Sequence, residues 1–159
     1  MKKEAKTNAA RLLDKAGVAY RLNAYEVDED DLSAVHVARQ LGVDAGLLFK
    51  TLVVRGDRNG IFVCVIAGDA ELDLKKAAKA SGNKNADLVA MKELLPLTGY
   101  IRGGCSPVGM KKRYPTFVDV RAGDYPEIYI SAGVRGLQIV LAPADLIAFA
   151  DAQVTKLTL

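Results

Sequence analysis

The segment Arg102-Gly-Gly-Cys-Ser-Pro-Val-Gly-Met-Lys-Lys-Arg-Tyr-Pro115 gathers four cationic side chains and three glycines and contains no acid. Glycine lets a ligand approach the backbone closely, and successive N–H groups in such turns form a concavity that accepts an anion. Gly103, Gly104, Cys105 and Ser106 supply the turn, while Arg102, Lys111, Lys112 and Arg113 add charge. The same composition also describes a solvated basic loop. Lys50 is a second candidate, because it opens an apolar strand with the facing parity of Leu52 and Val54. At the mouth of an apolar pocket its ammonium would have a depressed pKa or would attract an anionic ligand. The alternative is a lysine whose stem packs while its head stays in water. Thr51 points to the opposite face and can offer a backbone N–H where the strand begins.

What is scarce matters as much. His36 is the only histidine, so a Ser-His-Asp or Cys-His arrangement has one imidazole to draw on, and no Cys-x-x-Cys spacing supports a zinc site. No metal and no cofactor are expected. Glu26 to Asp31 holds five carboxylates in six residues but lacks the glycine and alternating oxygen ligands of a calcium loop. It reads as a solvated loop that repels nucleic acid from its side. His36 is expected on its helix surface, Cys64 inside an apolar strand as packing, and Cys105 as a structural thiol without a base partner.

The elements that must position these groups fit one domain over 1–159. Half of the 159 residues are apolar and 26% are charged, with a formal net charge of +3, the balance of a soluble chain with one sizeable core. No apolar run reaches membrane length, Met1-Lys-Lys-Glu-Ala-Lys6 has no apolar stretch behind it, and two dispersed cysteines suit a reducing cytoplasm. Thr7, Ser33 and Asp73 are placed to cap helices that end near Gly17, Gly42 and Gly82. Residues 18–25 alternate as a half-buried strand. The runs 50–55 and 61–67 read as a hairpin about Gly-Asp-Arg-Asn-Gly. A short helix is expected from Met91 until Pro96 and Gly99 stop it. Strands are expected at 100–102, 116–120, 128–131, 137–141 and near Val154, with a helix from Pro143 to Phe149. Irregular alternation of strands and helices predicts an α+β domain with a curved, mixed, barrel-like sheet flanked by helices.

Tyr25-Glu with its acidic follow-on, Phe49-Lys-Thr-Leu-Val53, Leu72-Asp-Leu-Lys-Lys76, Thr98-Gly-Tyr-Ile-Arg-Gly-Gly-Cys-Ser-Pro-Val-Gly-Met-Lys-Lys112 and Ile128-Tyr-Ile-Ser-Ala-Gly-Val-Arg-Gly-Leu137 together resemble the YbaK/EbsC family of Cys-tRNA(Pro) deacylases. The motifs occur in order from the first helix to the last. The resemblance implies a freestanding cytoplasmic trans-editing enzyme, related to the insertion domain of prolyl-tRNA synthetases, that cleaves the ester of mischarged tRNA by hydrolase- or lyase-type chemistry. By the same resemblance Lys50 matches the family's essential lysine and Thr51 its neighbour. Tyr25 matches the tyrosine after the first strand, Gly103 and Pro107 the Gly-x-x-x-Pro loop, and Ser131 and Gly133 a later Ser-x-Gly. Gln138 stands where some relatives carry an acid, and the acidic segment lacks a phenylalanine found in some members, which leaves substrate choice open.

In that family the substrate is thought to supply the nucleophile, through a cysteine thiol or a ribose hydroxyl. The protein then only holds the aminoacyl end and places N–H groups, here those of Gly103 to Ser106, near the developing oxyanion. Lys50 would anchor the terminal adenosine or its phosphate, with Arg102, Lys111, Lys112 and Arg113 on acceptor-stem phosphates. The implied partners are tRNA(Pro) and prolyl-tRNA synthetase; from the residues themselves, no membrane is expected, and a monomer is the default because no long unpaired apolar surface can be inferred. Two other classes fit the residues: a non-catalytic tRNA-end or synthetase-associated module, and a small-molecule thioester or nucleotide binder.

Overall fold

The computed structural model describes residues 6–159; most of the amino-terminal stretch read for targeting lies outside them. Helix α1 (Asn8–Lys15) begins where the Thr7 hydroxyl accepts the Ala10 N–H. It buries Ala9, Ala10 and Leu13, and Gly17 leaves it with φ +74°. β1 (Tyr20–Ala24) leads through the acidic run to α2 (Ala34–Leu41), capped by Ser33 and closed by Gly42 in the left-handed region. The expected hairpin is β2 (Phe49–Gly56) and β3 (Gly60–Ala67), followed by α3 (Leu74–Ala80) with Asp73 as its cap. Then come β4 (Ala86–Leu88), α4 (Met91–Thr98), β5 (Thr116–Asp119), a 3-10 turn (Val120–Asp124), β6 (Ile128–Ser131), β7 (Leu137–Leu141), α5 (Pro143–Ala150) and β8 (Gln153–Thr155).

The strands form two sheets. One is antiparallel in the order β1-β7-β6; the other is mixed in the order β4-β2-β3-β5-β8, with the β4-β2-β3 pairings antiparallel and β3-β5-β8 parallel. The α+β class and mixed pairing agree with expectation, but the barrel does not form. A barrel requires continuous pairing around its circumference, and among the described residues the backbone pairing between the two sheets is one parallel bridge, Leu48 to Tyr129, with no ladder between β2 and β6.

Side-chain alternation explains the core. Phe49, Val63, Val65 and Ala67 face the inter-sheet layer with Ile128, Ile130, Leu137 and Ile139. Val54, Phe62, Cys64 and Ile66 face the other way, onto Ala77 and Ala78 of α3. Cys64 therefore packs, and burial pushes its thiol up to about 12.

One local expectation fails, a second holds only in part, and one strand carries no signal in the sequence. Residues 100–102 form no strand and lie in the turn where the Gly104 N–H reaches the Ile101 carbonyl. Pro96 does not stop α4; only the final turn lies beyond it, so one missing N–H is tolerated until Gly99 terminates the helix at φ +83°. β4 has no apolar pattern and is held by its neighbours: Asp57 accepts the N–H groups of Lys84 and Asn85.

The turn joining β2 to β3 rests on Asn83, whose Oδ1 accepts the N–H groups of Arg58 at 2.9 Å and Asn59 at 2.7 Å while its amide donates to Ser81 Oγ. Asn83 is buried, so Asn83→Ala strands two backbone donors and is expected to cost about 1–3 kcal/mol. Thermal unfolding checks this, and an unchanged midpoint would contradict the assigned role of Asn83.

Candidate functional site

Between Leu48 and Val54 the edge of β2 is open. The Leu47 carbonyl accepts the Tyr129 N–H at 2.9 Å and the Val53 carbonyl accepts the Val89 N–H at 3.1 Å. By alternation the N–H and C=O of Thr51 lie along the same edge, where no strand is registered against them among the described residues. A cavity of about 560 Å³ wraps this edge and is lined by both Lys50 and Thr51, although they stand on opposite faces of the strand.

Lys50 is half-buried, and its Nζ donates to the Gly68 carbonyl at 3.4 Å. Loss of water around the ammonium lowers its pKa from the ordinary 10.5, opposed by the nearby charges of Asp69 and Glu71. Gly68 closes this side of the cavity, its N–H bonded to the Leu48 carbonyl at 2.6 Å. A Cβ there would fall 2.8 Å from that oxygen and 2.9 Å from Ala34 Cβ, so only glycine fits.

The facing wall comes from the smaller sheet. Ser131 and Gln138 are cross-strand partners on β6 and β7, and both line the cavity with Tyr25. Gln138 is only 4% exposed and its Oε1 has no hydrogen-bond partner; Thr51 Oγ1 is likewise buried and unpartnered. Unsatisfied buried polar atoms are costly, and here two of them belong to residues that line one hollow from different sheets.

The glycine turn forms the third wall, through Arg102, Gly103 and Cys105. Gly103 has φ +85°, and Arg135 Nε fastens the turn by donating to the Arg102 carbonyl at 2.9 Å. Burial pushes the Cys105 thiol up to about 12. Other members of the motif lie elsewhere. Gly104 packs on the Val134–Arg135 backbone, and Ser106 is fully buried with its hydroxyl accepting the Val108 N–H. Gly133 lies against the Tyr100 ring. Lys111 Nζ donates to the Pro96 carbonyl at the end of α4, and Lys112 and Arg113 are exposed outside the lining.

His36 departs from its expected place. Its side chain is 21% exposed, with Nε2 3.0 Å from Asp28 and Nδ1 4.0 Å from Asp31, so part of the acidic run folds back onto α2 instead of remaining fully solvated. Neither imidazole nor carboxylate lines the cavity, and the described residues contain no group of three or more His, Cys, Asp or Glu suited to a metal ion. The arrangement can therefore hold an anion, hydrogen-bond a polar group and exclude water, but it offers no side chain of ordinary general-base type.

Sequence reasoning missed Gly68 and two apolar walls, one of Leu32, Val35 and Val37 and one of Leu88, Met91 and Leu94. Their local signal was the exposure of Val35, Leu88 and Met91, which only the folded chain reveals.

The profile of the aminoacyl-tRNA editing domain matches residues 28–149. The chain belongs to this family. It is 48% identical over 157 residues to EbsC of Enterococcus faecalis, a proposed Cys-tRNA(Pro)/Cys-tRNA(Cys) deacylase, covering 99% of this chain and 96% of that one. It is 25% identical over 149 residues to the multifunctional Ser/Thr-tRNA deacylase ProXp-y of Escherichia coli, covering 91% and 87%. The crystal structure of a proposed trans-editing enzyme for prolyl-tRNA synthetase superposes with a TM-score of 0.83 at 26% identity, covering 98% of this chain and 99% of that one. In this editing domain the described cavity lies within the matched span apart from Tyr25.

Because burial lowers the Lys50 pKa, the charged folded form is penalised below that value, and the penalty fades as pH rises towards 10.5. Lys50→Met is therefore expected to raise Tm at pH 7 by about 2 °C, after allowing for solvent screening of a half-buried group, with the gain shrinking by pH 10. A lowered Tm at pH 7 would show that the ammonium stabilises the fold.

Proposed function

We propose that the protein is a trans-editing deacylase that removes cysteine from mischarged Cys-tRNA(Pro) by substrate-assisted ester cleavage in the Lys50 cavity. The observation that carries this reading is a half-buried cation sharing a hollow with a glycine turn and with no imidazole or carboxylate in its lining. Such a site suits a reaction in which the substrate brings the nucleophile.

In this reading the terminal adenosine enters along the open edge of β2, and Lys50 grips its phosphate or ribose. The α-ammonium of the aminoacyl group donates to Gln138 Oε1 and Thr51 Oγ1, relieving their lack of partners. The cysteine sulfur attacks its own ester carbonyl, forming a carbon–sulfur bond. Negative charge grows on the carbonyl oxygen, where Lys50 and backbone N–H groups of the Gly103 turn oppose it. The bond to the ribose oxygen breaks, that oxygen takes the thiol proton, and water later opens the cyclic thioester. Alanine has no thiol and is spared.

Gly103 and Cys105 are the turn residues nearest the cargo, since Gly104 and Ser106 are turned into the fold. Arg102 in the wall and Lys112 and Arg113 beyond it would meet acceptor-stem phosphates, whose affinity falls with salt as counterions are released. A net charge of +3 gives transient contact, which suits hand-over from prolyl-tRNA synthetase.

The decisive assay is single-turnover deacylation of tRNA(Pro) charged with Cys, Ala or Pro. Wild type is expected to clear the cysteinyl ester and spare the other two, and Lys50→Ala to slow the reaction by about 100-fold or more while remaining folded. Retention of the wild-type rate by Lys50→Ala would remove the cation from the mechanism. Tight binding without cleavage by wild type would make the protein a tRNA-end module instead.

A further inference from the structure

The turn that follows β3 brings acid close to Lys50. Lys50 Nζ reaches the Gly68 carbonyl, Asp69 is the next residue, and Glu71 lies two further on. A free carboxylate at this point would be drawn to the ammonium, because an opposite charge within a few ångströms favours a cation and occupies it. Asp69 is not free. Arg121 holds both of its oxygens, Nη1 to Oδ1 at 2.9 Å and Nη2 to Oδ2 at 3.2 Å, the paired geometry that gives a guanidinium its directionality.

Arg121 is itself firmly placed. It lies in the 3-10 turn after β5, where buried Asp119 accepts the Arg121 N–H at 3.1 Å with one carboxylate oxygen and the Leu157 N–H at 2.8 Å with the other. Its guanidinium covers Gly46: a Cβ at that position would fall 2.5 Å from Nη2 and 2.9 Å from the Tyr125 hydroxyl. The guanidinium thus lies against the loop entering β2 while it holds the turn leaving β3, and these two segments bond to each other through the Gly68 N–H and the Leu48 carbonyl. Neither Arg121 nor Asp69 lines the cavity.

We propose that Arg121 is a positioning residue for Lys50: by engaging both oxygens of Asp69 it keeps that carboxylate from closing on the ammonium, which stays open to an anionic ligand in the cavity. The identity of that ligand, a tRNA phosphate or a developing oxyanion, rests on the function proposed above; the ion-pair competition does not.

The test uses Arg121→Met, Asp69→Asn and the double variant, with two readouts: the titration midpoint of Lys50 followed by NMR in lysine-labelled protein, and the single-turnover rate on Cys-tRNA(Pro). Arg121→Met is expected to raise the Lys50 midpoint by about one pH unit and to slow deacylation about tenfold, the two being one interaction seen in two ways. The double variant returns both to near wild type, because no carboxylate remains at position 69 to compete. Asp69→Asn alone leaves the rate within about twofold, since the ammonium was already unpaired. If Arg121→Met does not fold, Arg121→Lys takes its place and moves both readouts the same way by less. An unmoved midpoint in the single variant, or a double variant as slow as the single one, overturns the proposal and reduces Arg121 to a structural tie. If wild type does not deacylate, the proposed function fails while the titration still decides the competition.

Discussion

Everything at this site depends on a lysine stem buried where two sheets part company. Had β2 and β6 stayed paired beyond Leu48 and Tyr129, the edge carrying Thr51 would have been consumed by a ladder and the cavity would be absent. Instead the fold leaves a strand edge open and puts a cation beside it, at a cost visible in the lowered pKa of Lys50. Burying an ammonium against a single long bond to the Gly68 carbonyl is unfavourable unless something negative arrives. An anionic guest in the cavity would offset that cost.

The same logic extends to the walls. Gln138 and Thr51 present buried oxygens without partners, and the glycine turn is held open by Arg135 and by close backbone packing at Gly104. These features are locally unfavourable and persist because the surrounding hydrophobic layers over-determine the backbone, a pattern common where a protein keeps a site ready for a ligand. An editing domain needs little more if the cargo supplies its own nucleophile, since rate can come from confinement and from donors fixed before charge develops.

How much of this was legible in the sequence follows from the range of each interaction. The caps at Thr7, Ser33 and Asp73 and the β2–β3 hairpin depend on neighbours a few residues apart, and they were read correctly. The inward parity of Lys50 followed from strand alternation. The division into two sheets did not, because it turns on one contact between residues 48 and 129. Ser106 looked like a donor beside glycines, yet its hydroxyl caps the very next turn inside the core. His36 looked exposed until Asp28 folded back onto it, and Gly68 carried no motif beyond a strand end. Short-range physics was written in the chain; long-range placement was not.

What decides the chemistry is where the cation points when cargo is present. A crystal structure with a non-hydrolysable amide analogue of 3′-cysteinyl adenosine monophosphate tests it most directly. Lys50 Nζ is expected to move onto a phosphate or carbonyl oxygen of the analogue at about 3 Å, with an N–H of the Gly103 turn on the same carbonyl. An analogue seated elsewhere, or seated in the cavity with Lys50 still on the Gly68 carbonyl, would contradict it.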